Sequence, residues 1–126
     1  MKPLIIALSI LLAIIILITV HSILMFNLAE DIGQACHSVT DFANKGQWDQ
    51  VTTEIDNIKS IWDKYRTWVS LTISTQEIEQ IEIALKQSRA YAELKQKTDF
   101  MGEFIMFSML VDHIPHQEGF HIAEIL

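Results

Sequence analysis

Cysteine is nearly absent from this chain, in which Cys36 stands alone among 126 residues. A single cysteine excludes an internal disulfide, so packing has to hold the fold together. A lone cysteine is most often buried, and a disulfide between two chains is the alternative. The sequence also lacks the alternating pattern of β-strands and any long linker rich in glycine or serine. We therefore expect one domain without a sheet.

Enzyme motifs are missing as well. There is no G-x-S-x-G elbow, no glycine-rich phosphate loop and no H-E-x-x-H zinc motif. Asp112 and His113 resemble part of a catalytic triad, but neighbours on a helix point about 100° apart and cannot orient each other directly. We expect no enzymatic activity and no cofactor.

Positive charge is scarce in the larger part of the chain. All sixteen acidic side chains lie from Glu30 onward, together with all but one of the nine basic side chains. This excess of negative charge repels phosphate groups. We therefore expect no nucleic-acid partner and no attraction to anionic lipid headgroups.

Charge of either sign is absent between Pro3 and Ala29. The apolar run from Leu4 to Leu24 supplies the about 20 residues that a helix needs to cross hydrocarbon. The run is longer than the roughly 7–15 apolar residues of a cleaved signal peptide, and no small-residue cleavage motif follows it. This favours an uncleaved signal anchor.

The charges that flank the span predict its orientation. Lys2 precedes the span, and Glu30 and Asp31 follow it. Because positive charge stays in the cytoplasm, we expect a single-pass protein of the cell membrane with a cytoplasmic amino terminus. Residues 1–28 would form the transmembrane signal anchor, and residues 29–126 an extracytoplasmic helical bundle.

Apolar residues recur every three or four positions through three segments, which is the pattern of amphipathic helices. The first helix should run unbroken out of the bilayer and end at Asn44-Lys45-Gly46, where asparagine and glycine favour termination. Ser74 stands three residues before Glu77 and predicts a capping box at the start of the third helix. The expected core stripes are Met25, Leu28, Ile32, Ala35, Val39 and Phe42; Trp48, Val51, Ile55, Ile58, Trp62, Tyr65 and Val69; and Ile78, Ile81, Leu85, Ser88 and Tyr91.

A fourth helix is predicted between Thr98, which can cap it, and Pro115, which lacks an N–H and should end it. It is apolar nearly all round and too short to span a bilayer, so a core helix is expected. The predicted fold is all-α: an N-terminal transmembrane helix that continues into an extracytoplasmic, antiparallel bundle of three to four helices. Helix four and the tail would also offer an apolar partner surface. The candidate partner-binding residues are Phe104, Phe107, Trp68 and Phe120.

Histidines raise two questions about sites. Three of them and a glutamate cluster near the carboxyl end and could ligate zinc in number. A proline among them should disrupt the helix that would align them, so their other role is to interact with the carbonyls at the helix end. His21 lies inside the span, where an ionisable residue is a functional candidate, but near its outer end, where an imidazole is less costly. The metal-ligand candidates are His113, His116, Glu118 and His121.

The order of these segments resembles a known family. A hairpin joined at "NKGQWDQV" is followed by "IKSIWDKYRTWV", "EIEQIEIAL" and "LVDHI". With the N-terminal span, they are similar to small membrane-anchored bacterial proteins that carry domain of unknown function 4363. The resemblance covers nearly the whole chain and implies an architecture without an activity. Members often have a histidine where Thr75 stands and an asparagine near Glu124, so no shared catalytic or metal-binding residue is implied.

Together these observations predict a membrane-anchored helical interaction module, an accessory subunit that binds a membrane-protein partner or a second copy of itself. One alternative is an extracytoplasmic bundle that senses a ligand held between its helices. Such a sensor would have to signal through the span of a partner, because hardly any residues lie on the cytoplasmic side. The other alternative is a secreted metal-binding protein.

Overall fold

Four α-helices account for nearly all of the chain. The computed structural model describes the backbone of residues 1–125 and the side chains of residues 1–114. The helices are α1 (Lys2–Asn44), α2 (Trp48–Val69), α3 (Thr75–Glu93) and α4 (Lys97–Ile125). No strand occurs in this part of the chain, which confirms the all-α prediction.

The helices form an antiparallel bundle from which the first half of α1 projects. α1 packs against α2 and α4, and α3 packs against the same two helices. Short connections make consecutive helices run in opposite directions. Residues 1–20 of α1 are exposed, and His21 is the first buried residue. Packing therefore starts within the segment predicted as the anchor, residues 1–28, and the projecting half of α1 and its packed half form one continuous helix about 65 Å long.

The predicted core stripes are confirmed. Of the apolar residues expected to face inward on α1, α2 and α3, all are buried except three at the distal end of the bundle, which are partly buried and still pack against the core. The stripes could be predicted because each of these segments has a single apolar face, and a helix buries that face against its neighbours. The three partly buried residues are Phe42, Trp48 and Tyr91.

The two turns at the distal end of the bundle have the same backbone geometry. In the first, Gly46 has a φ of 72°, and the N–H of Gln47 donates to the carbonyl of Phe42 at 2.9 Å. In the second, Lys95 has a φ of 57°, and the N–H of Gln96 donates to the carbonyl of Tyr91 at 3.0 Å. This is the Schellman arrangement, which requires a left-handed residue. The first turn was predicted from its glycine, whereas the lysine of the second gives no such signal.

Two predicted helix starts have different outcomes. Ser74 caps α3 as expected, because its hydroxyl oxygen accepts from the N–H of Glu77 at 3.2 Å. Thr98 does not cap α4. The helix already begins at Lys97, and the N–H of Phe100 donates to the carbonyl of Gln96 at 2.9 Å. The turn geometry sets this start, because it returns the chain to helical angles one residue before the threonine.

The predicted end of helix four at Pro115 is wrong, since α4 continues to Ile125. A proline inside a helix removes one hydrogen bond and costs roughly 3 kcal/mol, but that cost is local. Val111 and Ile114, four residues and one residue before the proline, are buried against the bundle and hold the helix in register up to that point. The tail that was expected to be irregular is therefore helical. Its proposed packing through Phe120, Ile122, Ile125 and Leu126 lies outside the described side chains.

Polar contacts join α2 to α3. Glu82 accepts from the indole N–H of the buried Trp62 at 3.0 Å and from Nε of Arg66 at 2.9 Å. Farther along, Nε of Arg89 donates to Asp56 at 2.8 Å, which holds the pKa of that carboxyl below its usual value. The contact at Glu82 matters most for stability, because it satisfies a donor that has no access to water.

Candidate interaction surface

Three exposed apolar side chains lie close together on α4. Ile105 is 51% exposed, Met106 is 55% exposed and Met109 is 67% exposed. Residues three and four apart are neighbours on a helix, so these three side chains form one continuous patch. Methionine and isoleucine suit a partner surface, and methionine in particular adapts to irregular shapes. We call these three residues the α4 patch.

Two of the partner-binding candidates are not on this patch. Phe104 and Phe107 are buried, and their rings stack on one another with centroids 5.9 Å apart. Phe104 also stacks on Phe100 at 5.3 Å, and Phe100 meets the edge of Trp48 at 5.6 Å. These phenylalanines are core residues, and neither is available to a partner in this structure.

The reason for this difference is the register of α4. Because the helix is apolar nearly all round, its composition does not show which face is buried, and the contacts with α1 and α3 decide it. A signal was nevertheless present in the spacing of the aromatic and branched residues, which is four, three, four and three and matches one helical face. That face carries Phe100, Phe104, Phe107, Val111 and Ile114.

A groove runs between α1 and α4 beside the patch. It has a volume of about 330 Å³ and is open along one side. Gly33 contributes to the opening, because nothing lies within 4 Å of the position a Cβ would take there. The lining residues are Ala29, Ile32, Gly33, Cys36, His37, Thr40, Phe104, Ile105, Ser108, Met109, Val111 and Asp112.

Cys36 lies at the floor of this groove and is buried, as the sequence predicted. Burial raises the pKa of its thiol to about 11, and a hydrogen bond with Ser108 works in the opposite direction. The thiol therefore stays protonated at neutral pH and is a poor nucleophile. Its position fits a packing role and not a reactive one.

Trp68, the third candidate, lies at the other end of the bundle, at the end of α2. Its ring is half-buried, and its centroid is 6.3 Å from that of His21. Nε2 of His21 lies 2.7 Å from the carbonyl oxygen of Trp68. A carbonyl can only accept, so this ring nitrogen carries a proton and donates it. The contact ties the end of α2 to α1 at the point where α1 enters the bundle.

The metal-ligand candidates are only partly described. His113 is exposed and borders a shallow depression that Glu77 and Ile73 also line. Within the described side chains, no group of three or more histidine, cysteine or acidic residues could hold a metal ion. The side chains of His116, Glu118 and His121, and that of the fourth partner candidate, Phe120, lie outside the described residues.

α1 is long and apolar enough to cross a membrane, and among the described residues it is the single helix that is. Within the part of the chain that the structure describes, the apolar segment near its N-terminus is not buried. This composition and length are those of a membrane anchor or of a signal sequence.

Comparison with known proteins identifies a family. The family described as Domain of unknown function (DUF4363) matches residues 18–125. The chain belongs to the DUF4363 family. The match begins at the carboxyl end of the apolar segment, close to where packing starts at His21, so the family region nearly coincides with the bundle. Neither the curated proteins nor the solved structures gave a match.

Proposed function

We propose that this DUF4363 protein is a membrane-anchored helical interaction module and an accessory subunit of a membrane-protein partner. The first half of α1 crosses the cell membrane with its amino terminus in the cytoplasm, and the bundle lies outside. The observation that carries the proposal is the α4 patch, an apolar surface that the four-helix core leaves uncovered.

The attachment of the patch to α1 favours a partner in the same membrane. The bundle is held by the same helix that forms one wall of the α1–α4 groove, so the patch is tethered to the bilayer that α1 would cross. Tethering raises the effective concentration of the two surfaces for each other, and a small patch can then suffice for binding. The net negative charge of the bundle disfavours nucleic acid as a partner.

Site-specific photocrosslinking in native membranes tests the proposal. A photoreactive amino acid at Met106 or Met109 should crosslink the protein to a membrane protein, whereas the same group at Lys86, exposed on α3, should not. Equal crosslinking yields from Lys86 and from the α4 positions would count against the patch as the binding surface. The absence of a crosslink from all of these positions would also count against it. Crosslinked copies of this chain alone would make the patch a self-association surface instead.

The groove favours one second function, the binding of a small ligand. Its volume of about 330 Å³ lies at the lower end of the range of small-molecule pockets, and its walls are mostly apolar. Binding would raise the melting temperature of the full-length protein in detergent. Gly33→Leu, which fills the groove, should abolish that increase, and an increase that survives the substitution would place the ligand elsewhere.

A further inference from the structure

We propose that the base of the bundle, formed by the α2–α3 connection with Trp68 and Leu71, is seated in the interfacial layer of the bilayer that α1 crosses. The partner of this surface is the lipid itself. The inference rests on the proposed anchoring of α1 and goes beyond it, because an anchored bundle can also stand clear of the membrane on a stalk.

The base of the bundle lies beside His21 on α1. The contact of 2.7 Å between His21 Nε2 and the carbonyl oxygen of Trp68 places the end of α2 beside His21. α2 runs antiparallel to α1, so the residues after Trp68 continue toward the amino end of α1. The N–H of Leu71 donates to the carbonyl of Trp68 at 3.3 Å, and that of Ile73 to Val69 at 3.1 Å. The connection therefore extends about one further turn past His21.

The exposed part of α1 is about as long as the hydrocarbon core is thick. Exposed apolar helix runs from Pro3 to Val20, and packing begins at the next residue. At 1.5 Å per residue this stretch is about 27 Å long, whereas the hydrocarbon core is about 30 Å thick. Lys2 bounds this stretch on one side and His21 on the other, so crossing the hydrocarbon uses all of it and leaves none of it for a stalk. If the stretch spans the hydrocarbon, His21 and the connection beside it lie at its outer boundary.

The α2–α3 connection at the base has the composition of a segment that contacts lipid. The ten residues from Thr67 to Gln76 carry no charge, and Arg66 and Glu77 bound them. Leu71 is 64% exposed at the tip of the connection, where an apolar side chain in water has nothing to bury it. Trp68 is half-buried beside it, and tryptophan is enriched at membrane interfaces because its ring is amphipathic.

The opposite end of the bundle provides the contrast. Its two turns carry Lys45 and Lys95, and Asp49 and Lys97 lie next to them. Charges therefore mark the two distal turns, whereas the α2–α3 connection at the base carries none between Arg66 and Glu77. On α1, the exposed Ile23 and Phe26 continue the apolar surface just above His21, at the depth of the headgroups.

Depth measurement with spin labels tests the inference in the full-length chain. In a Cys36→Ala background the protein has no other cysteine, so a nitroxide can be attached at one chosen position. Labels at Leu71→Cys, Gln47→Cys and Ile10→Cys would report on the base, the distal turn and the span after reconstitution into phosphatidylcholine vesicles. All three side chains are exposed, so the labels should leave the fold intact, which circular dichroism verifies.

The label at residue 71 should collide with a water-soluble nickel reagent several-fold less often than the label at residue 47, and more often than the label at residue 10. If residues 71 and 47 are equally accessible to nickel while residue 10 is protected, the anchoring holds and the seating is wrong. If residue 10 is accessible as well, the anchoring itself is wrong, and the inference goes with it.

Discussion

Replacing Phe104 with alanine should destabilise the bundle strongly, although the sequence placed this residue on a partner surface. Its ring is 2% exposed and lies between those of Phe100 and Phe107, with centroids 5.3 and 5.9 Å away. Removing such a ring costs about 3–5 kcal/mol through lost burial and the cavity left behind. Domains of this size have a total stability of roughly 5–15 kcal/mol, so much of it would be lost.

Met109 on the same helix offers a matched control. Its side chain is 67% exposed, and Met109→Ala should change the free energy of unfolding by less than about 0.5 kcal/mol. Denaturant titration of the two full-length variants in detergent, followed by tryptophan fluorescence, measures both quantities. In native membranes Met109→Ala should instead weaken the partner crosslink made from Met106. Equal stability of the two variants would refute the register assigned to α4.

Three further predictions concern pH, a buried hydrogen bond and a turn. The pKa of Cys36 rises to about 11 on folding, so the folded chain keeps a proton that the unfolded chain releases above about pH 9. The free energy of unfolding should therefore fall by up to roughly 2–3 kcal/mol between pH 9 and 11 relative to that of Cys36→Ala. Parallel pH profiles of the two proteins would contradict this. Glu82→Ala leaves the indole N–H of Trp62 without its acceptor and should cost about 1–3 kcal/mol in denaturant titration, whereas a loss near zero would show that the N–H finds another partner. Lys95→Gly should stabilise the protein by up to about 1 kcal/mol because φ is 57° there, and Gly46→Ala should destabilise it by a similar amount in thermal unfolding; changes of the same sign would refute the shared turn geometry.

The sequence was most informative where a helix has one apolar face. The stripes of α1, α2 and α3 could be predicted because spacing alone fixes which side chains point inward. α4 is apolar nearly all round, so only the spacing of its aromatic and branched residues indicated that Phe104 and Phe107 face inward. The contacts with the neighbouring helices decide that face and leave the α4 patch exposed. The contact between His21 and Trp68 joins residues 47 positions apart, and no local pattern predicts such a pair.

Helix termini and turns were predicted with mixed success for a similar reason. Glycine at position 46 and serine at position 74 act locally, through a left-handed angle and a cap, so their effects follow from residue type. Lys95 adopts a left-handed angle that its residue type disfavours, because the packing of α3 and α4 requires a tight turn there. Pro115 does not end α4, because a proline removes one backbone hydrogen bond and its cost is local.

The most direct test of the account is the fate of the apolar half of α1 in the cell. Intact mass spectrometry of the protein in alkaline-washed membranes should find a chain that still contains Pro3–Val20, with a mass near 14.5 kDa. A shorter chain released into the medium, and beginning after His21, would contradict the anchor, the seating of the bundle on the bilayer and the case for a partner in the membrane.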